Sequence, residues 1–176
     1  HQATLTISGV VQGLGFRPYV AQLARAYCLT GQVLNEGGQV RIVAYGKKQT
    51  LAAFANELTR NPPVGSHILS LSQQVAALPA GDAVPDSFTI AQSGNAPGLI
   101  VPTPDIAICD DCLRELQTIG DSRYRNPFIS CTHCGPRYTI LRCLPYDRQN
   151  TAMDSFPLCD MCTAQYADPA DRRYHA

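Results

Sequence analysis

Two groups of residues in this sequence have the types and spacings to do chemistry: a glycine-bearing loop that ends in an arginine, and cysteines in CxxC pairs. In Gly9-Val10-Val11-Gln12-Gly13-Leu14-Gly15-Phe16-Arg17, the loop glycines let main-chain N–H groups converge and the start of a helix adds positive potential. Arg17 offers a planar fork of donors. Gln12, Gly13, Leu14, Gly15, Phe16 and Arg17 therefore read as a cradle for a phosphate-sized anion. Taken alone, the same residues also describe a surface arginine beside a tight turn.

The run Cys109-x2-Cys112-x18-Cys131-x2-Cys134 has the spacing of a four-thiolate zinc ribbon. Each two-residue gap lets both sulfurs of a knuckle face one point, and Gly135 follows where a positive φ turns N–H groups toward the sulfurs. Disulfide redox chemistry is the alternative. Four thiolates leave no position for a water, so the expected zinc is structural. Binding it would supply about 10–16 kcal/mol of folding free energy.

A further pair follows at Cys159-x2-Cys162. A shift of 50 positions superimposes Cys109 on Cys159, Cys112 on Cys162 and Arg123-Tyr124 on Arg173-Tyr174, an internal repeat. The same shift carries the counterparts of Cys131 and Cys134 past Ala176, so the second zinc site is expected to be incomplete here, with His175 or His133 as makeshift ligands. Cys28 and Cys143 have no partner at ligand spacing and read as small buried hydrophobes. Arg123, Arg125 and Arg137 read as surface ion-pair residues, with the lining of a substrate path as the alternative.

Behind these groups stand the elements that must position them. Thr4–Val10 alternates with period 2 and predicts a strand; Phe16–Tyr27 has helical apolar spacing, with Pro18 in the first turn. Val33-Leu34, the turn signature Asn35-Glu36-Gly37-Gly38 and Val40–Tyr45 predict a hairpin. Leu51–Leu58 is a second amphipathic helix stopped by Asn61-Pro62-Pro63, and Ile68–Ala76 and Ser87–Ala91 supply the last strands. The order βαββαβ predicts an α+β ferredoxin-like unit. The expected organisation is that unit over 1–92, a linker over 93–104, a first four-cysteine module over 105–150 and the start of a second over 151–176.

Composition narrows the function. Lys plus Arg and Asp plus Glu both total 14 in 176 residues, and neither half is a charged tail. A nucleic-acid binder working by bulk electrostatics would carry a basic excess. Aromatics, at 7%, are too sparse for base stacking. No stretch has the apolar length of a membrane span, and the N-terminal residues enter a strand pattern directly, without a leader. A cytoplasmic protein is expected, with no membrane or nucleic-acid partner.

Gly9 to Arg17 resembles the acylphosphatase signature, and Gly31-Gln32-Val33-Leu34-Asn35 resembles its second motif, a strand ending in asparagine. The resemblance implies that Arg17 and the loop amides bind the phosphoryl group and that Asn35, by itself a turn residue, positions the attacking water. Leu14, Gln32 and Leu34 depart from the residues common at those places. The stretches Cys131–Ile140, Pro145-Tyr146-Asp147-Arg148 and Cys159 through His175 resemble the HypF family, the carbamoyltransferases of [NiFe]-hydrogenase maturation. That resemblance implies carbamoyl phosphate as substrate, hydrolysed as the first step toward the CN ligands. It also implies larger downstream domains that use ATP, and a carbamoyl-accepting maturation protein as partner. Two further readings stay open: a general acylphosphatase with a zinc docking arm, and a non-catalytic zinc-ribbon binding module.

Overall fold

The computed structural model describes residues 1–78, 81, 83–94, 96 and 98–176. Strands β1 (Gln2–Val10), β2 (Thr30–Glu36), β3 (Gln39–Tyr45), β4 (His67–Ala76) and β5 (Phe88–Ile90) alternate with helices α1 (Phe16–Ala26) and α2 (Lys48–Arg60). They form one sheet in the order β4-β1-β3-β2-β5. β1 is antiparallel to β3 and β4, β2 is antiparallel to β3, and β5 lies parallel to β2. This is the expected α+β arrangement, with the strand expected at Ser87–Ala91 found as β5 at the sheet edge beside β2.

Period-2 patterning decides the faces. Ala3, Leu5 and Ile7 of β1, Val33 of β2, and Val40, Ile42 and Ala44 of β3 are fully buried. They pack with Val20, Ala21 and Ala24 of α1 and Leu51, Phe54 and Leu58 of α2. The opposite face carries Thr4, Thr6, Gln32 and Arg41 and is wetter. The β2–β3 turn is two residues, Gly37 and Gly38, at φ 55 and 82. Both lie in the left-handed region that a two-residue hairpin demands and that glycine enters without strain.

One reading needs correcting here. Taken without its motif, Asn35 is a turn residue, but it lies inside β2, paired with Val40. The Gly-Gly pair closes the turn alone, so β2 runs on. Register then puts Asn35 on the same inward face as Val33, and it is 2% exposed.

The cysteine-rich half has helices α3 (Asp110–Gln117) and α4 (Asp160–Ala167) and two 3-10 turns, Arg148–Asn150 and Ala152–Ser155. Its own core is Cys112, Ile129, Cys131 and Cys134, with Ile108, Cys109 and Leu116 packed against them. The 50-residue repeat is structural. Cys109 and Cys159 sit at the N-caps of α3 and α4. Asp121 and Asp171 accept the main-chain N–H of Arg123 and Arg173 at 2.8 and 2.7 Å. Arg125 and His175 take the same positive φ, 55 and 56. The two copies differ in docking: Tyr174 joins the main core, with Arg25 of α1 over its ring, whereas Tyr124 stays half-exposed.

Cys28 and Cys143 are both exposed, against expectation. Helix α1 ends at Ala26, which leaves Cys28 in the following turn at φ 52, off the apolar face. Cys143 lies in a loop with no core beneath it. Of the expected linker, Asn95 and Pro97 lie outside the described residues. Among the described residues no helix is long and apolar enough to cross a membrane.

Phe54 is fully buried at the junction of α2, the sheet and Tyr27. Phe54→Ala is expected to cost about 3–5 kcal/mol, measured as the shift of a urea unfolding midpoint at unchanged slope.

Candidate active site and metal centre

The loop between β1 and α1 is built to leave its amides free. Gly13 and Gly15 adopt φ 76 and 70, while the neighbouring Leu14 and Phe16 bury their side chains. The Thr103 hydroxyl donates to the Gln12 carbonyl and pins the loop from outside. Among the described residues, no protein acceptor takes the main-chain N–H of Gln12, Gly13, Leu14, Gly15, Phe16 or Arg17. Six main-chain donors left without a protein acceptor among the described residues, at the start of an 11-residue helix, are the chemistry an anion cradle needs. Gly15 is also a spacing requirement: a Cβ there would lie 2.5 Å from the Thr132 carbonyl oxygen. The second cysteine knuckle thus sits against the loop.

Arg17 stands beside the cradle but is engaged. Its Nη1 donates to Ser93 Oγ at 3.2 Å, and its Nη2 donates to the Tyr146 carbonyl at 3.2 Å and to Asp147 Oδ1 at 2.7 Å. Ser93 in turn donates to Asp147 Oδ2 at 2.7 Å. The guanidinium expected to face an anion therefore already pairs with a carboxylate from the cysteine-rich half. Nothing in the spacing of Asp147 announced that role, because it lies 130 residues from Arg17.

Arg17 and Asn35 open onto different cavities. Arg17 lines one of about 450 Å³ between the loop and the cysteine-rich half. Asn35 lines one of about 210 Å³ together with Gly37, Gly94 and Ile100. Gln12 lines both, and the segment 144–147 stands between them: Leu144 and Pro145 face the smaller, Tyr146 and Asp147 the larger. The side-chain amides of Gln12 and Asn35 are buried, and among the described residues neither oxygen nor nitrogen of either has a protein partner. A desolvated amide left unpaired is unfavourable by about 1–3 kcal/mol, and such groups mark a place where a polar guest is received.

The larger cavity is cationic. Arg17, Arg123, Arg137, Arg148 and Arg173 line it, with Asp147 as the side-chain carboxylate among the described lining residues. Arg123 and Arg137, expected in surface ion pairs, are buried and among the described residues pair with no carboxylate. Arg137 instead donates to the Cys131 and Cys134 carbonyls at 3.1 and 2.6 Å, bracing the second knuckle. Arg125 is exposed and leans over the Tyr124 ring.

Cys109, Cys112, Cys131 and Cys134 bring four sulfurs within 4.8 Å of one another, three of the residues buried. Around a zinc-sized ion with bonds of about 2.3 Å, tetrahedral sulfurs stand roughly 3.8 Å apart. The Cys109–Cys131 and Cys131–Cys134 separations, 3.4 and 3.3 Å, fit that crowding. The shared S–H contact draws the Cys134 thiol well below its usual range and pushes Cys131 up, while burial raises Cys112. Gly135 has the expected positive φ of 90. The donor set fits a metal ion held by thiolates alone. Cys159 is exposed and Cys162 half-buried. Among the described residues no third His, Cys, Asp or Glu joins that pair to complete a ligand group.

Each repeat lends the other an arginine. Arg172 Nη1 lies 3.2 Å from Cys112 Sγ and 3.9 Å from Cys109 Sγ, and Arg173 Nη2 lies 3.8 Å from Cys112 Sγ. Both also pair with Glu115 of α3. Reciprocally, Arg123 Nη2 lies 3.7 Å from Cys162 Sγ and bonds Gln165, the repeat counterpart of Glu115. Four thiolates around a divalent ion carry an excess of two negative charges, and guanidinium donors at this distance offset it. Charge arithmetic at the repeat positions was the signal that sequence reasoning left unused.

Together these features define an acylphosphatase-type anion site joined to a thiolate metal finger. The acylphosphatase family matches residues 3–90, and the HypF finger family matches residues 108–141. The chain is 45% identical over 173 residues to "Carbamoyltransferase HypF" of Rhodobacter capsulatus, covering 98% of this chain and 22% of that protein. It is 37% identical over 90 residues to the acylphosphatase of Actinobacillus succinogenes, covering 51% of this chain and 96% of that protein. A crystal structure of full-length HypF in the phosphate- and nucleotide-bound form superimposes with TM-score 0.89 at 40% identity, over 99% of this chain and 23% of the other. The chain belongs to the HypF carbamoyltransferase family, of which residues 3–90 form the acylphosphatase domain. It spans about a fifth of the length of the HypF relatives it matches, 22% of the one from Rhodobacter capsulatus.

Because Arg172 and Arg173 touch the cluster from the second repeat, the double variant Arg172→Ala/Arg173→Ala is expected to lose bound metal to a chelator about 10- to 100-fold more readily. The release is followed with a colorimetric metal indicator.

Proposed function

We propose that this chain hydrolyses carbamoyl phosphate at the β1–α1 loop, as the first step of a carbamoyl transfer completed by other domains. The observation that carries the proposal is the set of unpaired loop amides beside Arg17 on an arginine-lined cavity. An acyl phosphate is a mixed anhydride, so its leaving carboxylate or carbamate needs little acid catalysis. The site has to hold the phosphoryl group still and place a water in line with the breaking P–O bond. Loop amides and Arg17 clamp the equatorial oxygens, and Asn35, which is no base, orients the water from the smaller cavity, which meets the larger one at Gln12. The water oxygen bonds to phosphorus, the bond between phosphorus and the oxygen that bridges to the carbamoyl carbon breaks, carbamate departs with the electron pair, and the water's proton passes to a phosphate oxygen. A related HypF is described as phosphate- and nucleotide-bound, in keeping with a phosphate site in this family.

On this reading, 1–92 is the hydrolytic unit, 93–104 the connection, and 105–150 and 151 onward the two cysteine modules. The ion at Cys109, Cys112, Cys131 and Cys134 is zinc, held by thiolates, and it supplies folding free energy and no chemistry to the substrate. Cys159 and Cys162 are half of a second zinc site. ATP and the carbamoyl-accepting protein belong to the later steps, and the setting is cytoplasmic. A general acylphosphatase is the second reading, favoured by the 37% identity to a relative of that name. It predicts similar turnover of carbamoyl and acetyl phosphate.

The test is turnover on the purified chain, with metal content measured on the same sample. Arg17→Ala is expected to abolish hydrolysis of carbamoyl phosphate; turnover at the parent rate would refute the assignment. Asn35→Leu is expected to abolish hydrolysis while leaving the urea midpoint equal or higher, because it removes a buried unpaired amide. Elemental analysis is expected to return zinc, lost in Cys109→Ser/Cys134→Ser.

A further inference from the structure

Among the described residues lining this cavity of arginines, Asp147 brings the side-chain carboxylate, and its presence calls for an explanation. Asp147 lies 2.7 Å from the Arg17 Nη2 and is held on its other oxygen by Ser93 at 2.7 Å. A negative charge there opposes the phosphate the cavity is otherwise suited to attract. It also comes from outside the acylphosphatase domain, whose family match ends at residue 90. The segment that carries it lies over the loop: a Cβ on Gly13 would sit 3.3 Å from the Tyr146 ring. Tyr146 and Asp147 therefore form a wall that the acylphosphatase domain by itself does not have.

Carbamoyl phosphate and acetyl phosphate share the phosphoryl group and the carbonyl. They differ where one has an amino group with two N–H donors and the other a methyl. A site that prefers the first must offer an acceptor within a few ångströms of the phosphate anchor, and that acceptor must be poorly matched to a methyl. Each oxygen of Asp147 accepts one hydrogen bond in the structure and retains a further lone pair.

We propose that Asp147, held in place by Arg17 and Ser93, is the specificity residue that accepts an N–H of the carbamoyl amino group and so selects carbamoyl phosphate over other acyl phosphates. The inference rests on the hydrolytic reading above. The carboxylate that weakens phosphate binding in general strengthens it for the one acyl phosphate that brings its own donor. Binding that substrate leaves the Arg17–Asp147 pair intact and uses the remaining faces of both groups.

The experiment measures kcat/KM for carbamoyl phosphate and for acetyl phosphate on the parent and on Asp147→Ala, with metal content as the check on folding. The parent is expected to prefer carbamoyl phosphate. Asp147→Ala is expected to lower the carbamoyl-to-acetyl ratio by about 10-fold or more, the scale of one hydrogen bond to a charged acceptor. An equal fall on both substrates overturns the proposal and makes Asp147 a positioning residue for Arg17. An equal rise on both overturns it and makes Asp147 a competing anion. If Asp147→Ala fails to hold its metal, Asp147→Asn replaces it, and an unchanged ratio there also counts against the proposal. A parent inactive on both substrates removes the hydrolytic reading itself, which separates that failure from this one.

Discussion

Four cysteine sulfurs within 4.8 Å of each other form a donor set that fits a metal ion, and the cysteine-rich half is arranged about that cluster. Its own apolar core is four buried residues, three of them cysteines. Part of what it contributes to the loop's surroundings is braced by this cluster. Thr132, inside the second knuckle, sets the closeness of approach to Gly15, and Arg137 braces the knuckle carbonyls while lining the cavity. A site that looks electrostatic is, at one remove, held in shape by coordination.

The acylphosphatase domain solves the complementary problem. Its βαββαβ frame buries a core of aliphatic and aromatic side chains, Phe16, Phe54 and Phe88 among them. It delivers three things to one end of the sheet: a loop whose main chain is left unpaired, an arginine at the start of α1, and an asparagine turned inward at the end of β2. These polar groups are costly where they stand. Gln12 and Asn35 are buried without partners, a local conflict of the kind that sequences specifying a single fold avoid except at sites of use.

Much of this was legible in the residues. Period-2 strands, helical spacing and the Gly37-Gly38 turn specify the sheet, and the CxxC spacings specify the ligand set. The Gly9–Arg17 loop was legible as a cradle because glycine spacing and helix onset are local. Asp147 was not, since its meaning depends on a contact across 130 residues and on which way a loop with little periodicity folds back. Arg123 and Arg137 were misread for a related reason. An arginine in a charged, irregular stretch is ordinarily solvated, and only the packing of the two halves encloses these. Cys28 and Cys143 erred in the other direction, because a cysteine's usual burial says nothing once the helix ends short of it.

The exchange of arginines between the cysteine repeats bears on how this half comes apart. Arg173 reaches Cys112 and Glu115 of the first repeat, and Arg123 reaches Cys162 and Gln165 of the second. Neither repeat can open without withdrawing a counter-charge from its neighbour's sulfurs. The two therefore work as an interlocked clasp, melting and forming together, and damage to one cysteine pair is felt at the other by way of a guanidinium.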